Sequence, residues 1–239
     1  MALILPPQWF FAPDLIIDVF SFLLLLAFTI ISLSYYKMSK NRSFFYLGIS
    51  FLLICLGEFF EIFMNLKIYY DLTNIFHLGD VIIASRVAQP LQIVNYLGGL
   101  FHKIFVLIGF YFLYYASKKE NKDPKFEKSS RWNHLIIVYL LVVLAVLTAN
   151  VHQLFALTIA LFSVIIFLNY NRVYRETNSK KSLVLSIAFI ILFIGYMMQA
   201  FINNPMTYIL ANLLQLVAFI ILLCLIISIF YHGKQLKKN

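Results

Sequence analysis

The sequence predicts an all-α protein: a polytopic transmembrane bundle of seven helices, N-terminus outside and C-terminus cytoplasmic. Three observations carry this. The 239 residues are 62% hydrophobic and 12% charged, whereas a soluble domain is about half apolar and about a quarter charged. Seven apolar stretches are each long enough to cross a bilayer, which takes about 20 residues. The basic residues gather on alternate loops, as the positive-inside rule requires.

The expected spans are 14–36, 44–66, 89–116, 133–150, 152–170, 182–203 and 206–231, in a single transmembrane domain covering 1–239. Span one follows Pro6, Pro7, Trp9, Phe10 and Phe11, which read as an interfacial anchor. No basic side chain precedes it, so it reads as a retained span and not a cleaved signal peptide. It ends at Tyr35 and Tyr36, and Lys37, Lys40 and Arg42 form the first loop. Span two leads to an outer loop at 67–88, where Asp71, His77, Asp80 and Arg86 stand among Ile75, Phe76, Val81, Ile82 and Ile83. That pattern suits an amphipathic segment on the outer surface or over the bundle.

Span three ends in a basic cytoplasmic loop, 117–132, carrying Lys118, Lys119, Lys122, Lys125, Lys128 and Arg131. Spans four and five are broken only at Asn150, Val151 and His152. Together they are too long for one crossing of about 30 Å, so a tight helical hairpin is expected. Arg172, Arg175, Lys180 and Lys181 follow span five. Asn203, Asn204 and Pro205 mark the turn before span seven, and Lys234, Lys237 and Lys238 close the chain. Sixteen basic residues thus share one side, against Lys67 and Arg86 on the other. This assigns the protein to a cell membrane, N-out and C-in.

The composition excludes several functions. The net charge of +9 is spread along span ends, with no basic folded surface for nucleic acid. Cys55 and Cys224 both lie in apolar stretches and lack metal-ligand spacing. Span seven has no lysine for a retinal Schiff base. No zinc-protease, phosphate-loop or nucleophile-elbow pattern occurs. No cofactor, metal or catalytic residue is expected.

The informative residues are polar ones inside spans, which are costly in lipid and face the bundle interior or a cavity. Asp14 and Asp18 share one face of span one, with Asp14 expected to cap the helix start. Glu58, Glu61 and Asn65 share a face of span two, and Gln92, Asn95, Gly99, His102 and Lys103 an arc of span three. Lys103 stands near mid-helix and is expected to pair with Glu58. Tyr196, Gln199 and Asn203 line span six; Asn212 and Gln215 stand three apart on span seven. The ligand-binding or ion-pair candidates are therefore Asp18, Glu58, Glu61, Asn95, His102, Lys103, Gln199, Asn212 and Gln215. They fall at outer or central depth. By contrast Leu23–Ile31, Phe105–Phe112 and Phe219–Ile229 are almost purely apolar. Helix packing alone would not choose one leaflet; a polar pocket open to the outer face, with an apolar floor, would.

Tyr35-Tyr36-Lys37 ending span one and Arg42-Ser43-Phe44-Phe45-Tyr46-Leu47 opening span two resemble the seven-helix N-terminal sensory regions of some prokaryotic membrane kinases. The likeness covers about the first 65 residues. It implies a sensory module that lacks an output domain of its own and signals through a membrane protein partner. Beside this ligand-binding or sensory reading stand two others: a small secondary transporter for an ion or polar solute, and a structural subunit of a membrane complex. Homo-oligomerisation is compatible with all three. The bilayer is the one partner common to them.

Overall fold

The computed structural model describes the backbone of residues 8–78, 81–120, 137, 141, 143–144, 152–201 and 204–236, with side chains described except at 8, 68–96, 119–120, 152 and 232–236. After a short turn of 3-10 helix at Gln8–Phe10 come six α-helices: α1 Phe11–Ser39, α2 Arg42–Leu78, α3 Val81–Glu120, α4 His152–Thr177, α5 Lys180–Ala200 and α6 Pro205–Leu236. Among the described residues there is no strand. All six helices contain stretches long and apolar enough to cross a membrane. The protein is an all-α, multi-pass membrane protein.

The surface supports this from the other direction. Ile16, Phe63, Leu161 and Met206 are each more than 60% exposed. Glu58, Asn65 and Lys103, by contrast, are each at most 9% exposed. An apolar outside around buried polar groups is stable where the surroundings are themselves apolar.

Each of the six helices overlies one expected span, and α2 and α3 run well beyond theirs. The segment expected to be an outer loop, 67–88, is helical at both ends. α2 continues to Leu78 and α3 begins at Val81. At 1.5 Å per residue the two run roughly 55–60 Å, well beyond a core of about 30 Å. Their most apolar stretches are Arg42–Lys67 and Leu97–Lys118. α3 also extends through Glu120, a few residues into the expected basic loop. The expected fourth span, 133–150, lies outside the described residues except at four positions. Of these, Leu141 is buried, and Ile137 and Leu144 pack against the core.

Turn chemistry explains the tight connections. α1 ends where Lys40 takes a left-handed conformation (φ 55°) and its N–H reaches the Tyr36 carbonyl at 2.8 Å. The Asn41 side chain then accepts the Ser43 N–H at 3.0 Å, opening α2. Asn178 (φ 51°) repeats the device between α4 and α5, its N–H bonding Tyr174 at 2.7 Å. Asparagine tolerates this conformation well. At the opposite end Asn204 accepts the Thr207 N–H at 2.9 Å and Pro205 is the first residue of α6, where its missing N–H costs nothing.

Each helix packs on its sequence neighbours, and α1 packs on α6, so the six form a closed ring. α1/α2, α2/α3, α4/α5 and α5/α6 are antiparallel. Two seams are parallel. In one, α1 meets α6 from Asp14–Tyr208 downward. In the other, His102 faces Phe155 (ring centroids 5.5 Å apart), Tyr114 faces Phe162 (6.5 Å) and Asn169 donates to the Ser117 hydroxyl (3.0 Å). α3 therefore ends at one end of the bundle, and α4 begins at the other.

The Ser117–Asn169 bond joins two helices in the half nearer the basic end, and Ser117 is fully buried. Asn169→Ala is expected to cost about 1 kcal/mol, the scale of an interhelical hydrogen bond in a membrane. A double-mutant cycle with Ser117→Ala, read by unfolding in mixed micelles, checks it. Strict additivity would show that the bond contributes nothing.

Candidate functional site

The ring encloses one polar cavity, placed in the half of the bundle away from Lys40, Arg42, Arg172, Arg175, Lys180 and Lys181. Every described helix contributes to its wall: Ile17, Asp18 and Ser21 from α1, Glu58 and Glu61 from α2, His102 from α3, Phe155 from α4, Tyr196 and Gln199 from α5, and Asn212, Gln215 and Phe219 from α6. Its volume is about 30 Å³, room for roughly one or two waters. Below it, towards the basic end, the ring is filled by Leu25, Phe28, Phe51, Ile54, Phe110, Leu192, Leu222 and Ile226, all at most 3% exposed. Phe28 and Phe51 meet at 4.0 Å between centroids. Phe110 of α3 crosses the interior to meet Tyr196 of α5 edge-on at 5.9 Å. This is an apolar floor of packed side chains.

The helix spacing of the sequence produces this convergence. Asp14, Asp18 and Ser21 fall on one face of α1 at helical spacing. Tyr208, Asn212 and Gln215 do the same on α6. Where these two faces meet, Asp14 accepts hydrogen bonds from the Tyr208 hydroxyl (3.0 Å) and from Asn212 Nδ2 (3.1 Å). Asp14 is fully buried. It stands in the first turn of α1, as expected of a carboxylate at a helix start, and it also ties the first described helix to the last. Asp18, one turn along, accepts from Asn65 Nδ2 of α2 at 3.0 Å. Across the cavity Gln215 Nε2 donates to Gln199 Oε1 at 3.0 Å, joining α6 to α5.

α2 and α3 approach each other closely. A Cβ built on Gly57 would lie 2.6 Å from Val106 Cγ2 and 3.2 Å from the His102 carbonyl. Because the backbones are this near, His102 Nδ1 reaches both the Gly57 carbonyl (3.2 Å) and Glu61 Oε2 (3.3 Å). Both partners are acceptors, so Nδ1 carries the hydrogen.

The expected Glu58–Lys103 ion pair is corrected: among the described residues the two are not in contact. Successive residues on a helix point 100° apart. His102 stands between α2 and Phe155 of α4, and Lys103 also lies beside α4, with its ammonium 5.9 Å from the centre of the Phe155 ring. Lys103 is 7% exposed and does not line the cavity.

Of the candidates read from sequence, Asp18, Glu58, Glu61, His102, Gln199, Asn212 and Gln215 are brought together in one wall. Lys103 stands just behind it. The side chain of Asn95 lies outside the described residues. Sequence reasoning undervalued Asp14, whose spacing to Asp18 was the available signal. It did not find Ser21 or Tyr208, since a serine or tyrosine in a span has no charge to mark it. Among the described residues no group of three or more His, Cys, Asp or Glu is placed to hold one metal ion.

No protein-family model, curated protein or solved structure matches the chain. Its chemistry is therefore read from this cavity.

Proposed function

We propose that the chain is a seven-span, N-out membrane protein that receives a small polar ligand in a pocket reached from the outer face. The observation that carries this is Glu58. It is 8% exposed and lines a cavity walled by all six described helices. Among the described residues it has no hydrogen-bond or ion-pair partner. Leaving a carboxyl so placed is expensive unless something binds it. The packed apolar floor favours reception over passage, and the resemblance to kinase sensory regions gives reception a use: relay to a membrane partner.

Parity supports this topology. α3 and α4 run parallel, with Glu120 towards the basic end of the bundle and His152 at the opposite end. In this reading a further crossing, expected from the sequence at 133–150, supplies the return and raises the spans to seven. The basic residues at the ends of α1, α3, α4 and α6 support placing that end in the cytoplasm.

Single-cysteine accessibility in intact cells tests both points, after Cys55 and Cys224 are replaced by alanine. Asn204→Cys and Gln153→Cys are expected to react with a membrane-impermeant maleimide added outside. Asn178→Cys and Lys118→Cys are expected to react only after permeabilisation. Lys118 and Gln153 labelled from the same side would refute the seventh crossing; all four reversed would refute the orientation. Solute-driven flux in proteoliposomes would replace reception by transport.

A further inference from the structure

The size and charge of the cavity narrow its ligand. A volume of about 30 Å³ admits roughly one or two waters, which suits an ion better than a sugar, an amino acid or an organic amine. Asp18, Glu58 and Glu61 give it three carboxylates. Asp18 is held by Asn65 and Glu61 is in contact with His102. Glu58, more than nine-tenths buried, has no hydrogen bond or ion pair among the described residues. The Tyr196 hydroxyl, on a side chain 4% exposed, also lines the cavity without a partner among them.

The described titratable groups facing this region are Asp14 and Asp18 on α1, Glu58 and Glu61 on α2, His102 and Lys103 on α3, Tyr196 on α5 and Tyr208 on α6. α4 presents Phe155. Of the described lining residues, Asp18, Glu58 and Glu61 carry carboxyls against the single imidazole of His102, so a cation or protons suit this lining. The unpaired liners are oxygen donors, which suit hard cations. The absence of a three-ligand His/Cys/Asp/Glu cluster among the described residues argues against a divalent cage of carboxylates. One carboxylate with neutral hydroxyl and amide oxygens is the donor set of a singly charged ion.

We propose that the cavity is a binding site for one water-sized monovalent cation, an alkali-metal ion, with Glu58 as its charged ligand and Tyr196 and Gln199 supplying neutral oxygens. Binding exchanges the cation for one proton held on the carboxyl cluster, so charge is conserved at the site. This deepens the reading above and rests on it for the side of access.

The test is a titration of the purified full-length protein in detergent with sodium or potassium chloride, N-methylglucamine chloride keeping ionic strength constant. A saturable rise in melting temperature is expected, roughly 5–10 °C at one hundred times Kd. A hydrophobic carbodiimide is expected to label Glu58, and cation at roughly ten times Kd to slow labelling about tenfold. Glu58→Gln is expected to abolish the melting shift. If that variant does not fold, Tyr196→Phe is expected to move the midpoint to higher cation concentration. No response of the native protein to sodium, potassium, lithium or ammonium overturns the proposal, as does an undiminished shift in Glu58→Gln. A cation response with reversed cysteine labelling would retain this site and refute outward access. The expected labelling with no response would refute this site alone.

Discussion

Asp14→Ala is expected to destabilise the bundle by about 2–6 kcal/mol, taking about one to three for each of the two groups left without its partner. Asp14 is fully buried and holds both the Tyr208 hydroxyl and Asn212 across the seam where α1 meets α6. That seam closes the ring. Alanine removes the acceptor and leaves two donors facing a space with little water. Asp14→Asn retains one acceptor oxygen, so it is expected to lose about half as much. Equilibrium unfolding in mixed micelles measures both. A loss below about 1 kcal/mol for alanine would mean that apolar packing closes the ring and that the carboxylate is incidental to it. Because Asn212 also lines the cavity, the alanine variant is further expected to weaken any cation response. Tyr208→Phe, which removes one donor and keeps Asp14, is expected to be far milder.

Gly109→Leu is expected to abolish the folded monomer. A Cβ there would lie 2.6 Å from Ile54 Cγ1 and 2.9 Å from the Ser50 carbonyl oxygen, with the Ile54 nitrogen at 3.2 Å. Two of these atoms are α2 backbone, so relief requires α2 and α3 to separate along the seam that carries Glu58, Glu61 and His102. Overpacking of this kind costs about 3 kcal/mol or more. Gly48→Ala is the contrast. Its added Cβ would approach the end of the Leu33 side chain, at 2.6 Å from Cδ2, which a rotamer change can move. A loss of under about 1 kcal/mol is expected there. Fluorescence-detected size exclusion of fusion proteins, with heating, separates the two cases. Equal behaviour of the two variants would show that α2/α3 proximity is not what holds the site.

The membrane class was legible because it rests on sums. Long apolar stretches and basic residues on alternate loops survive an error of several residues at every boundary. The gathering of polar groups was legible for a related reason. Helical rise gives depth, and Asp18, Glu58, Glu61, Gln199, Asn212 and Gln215 share a depth without any knowledge of neighbours. The segment 67–88 was harder. Its scattered charges interrupt the hydrophobic pattern, although helix formation depends on backbone bonding and continues through Leu78.

Partnership was not legible, as three cases show. Glu58 and Lys103 match in depth and charge, yet among the described residues they form no ion pair; the neighbouring His102 is the one that reaches Gly57 and Glu61 of α2. Asp14 is legible only as a first-turn carboxylate, because local spacing is all that a sequence offers at a helix start. Its partners are almost two hundred positions away, at Tyr208 and Asn212. Ser117 and Asn169 pair for the same kind of reason: α3 and α4 run parallel, which no local pattern encodes.

The sequence by itself therefore determined the solvent of this protein, the apolar stretch at the centre of each helix and the half of the bundle in which polar groups collect. These follow from hydrophobicity and from the fixed rise and twist of the α-helix. The tertiary structure alone decided which faces meet, that α1 closes on α6, and that Glu58 is left facing a water-sized cavity. Those depend on the rotation and order of whole helices in the ring, which packing sets collectively and no single stretch of sequence contains.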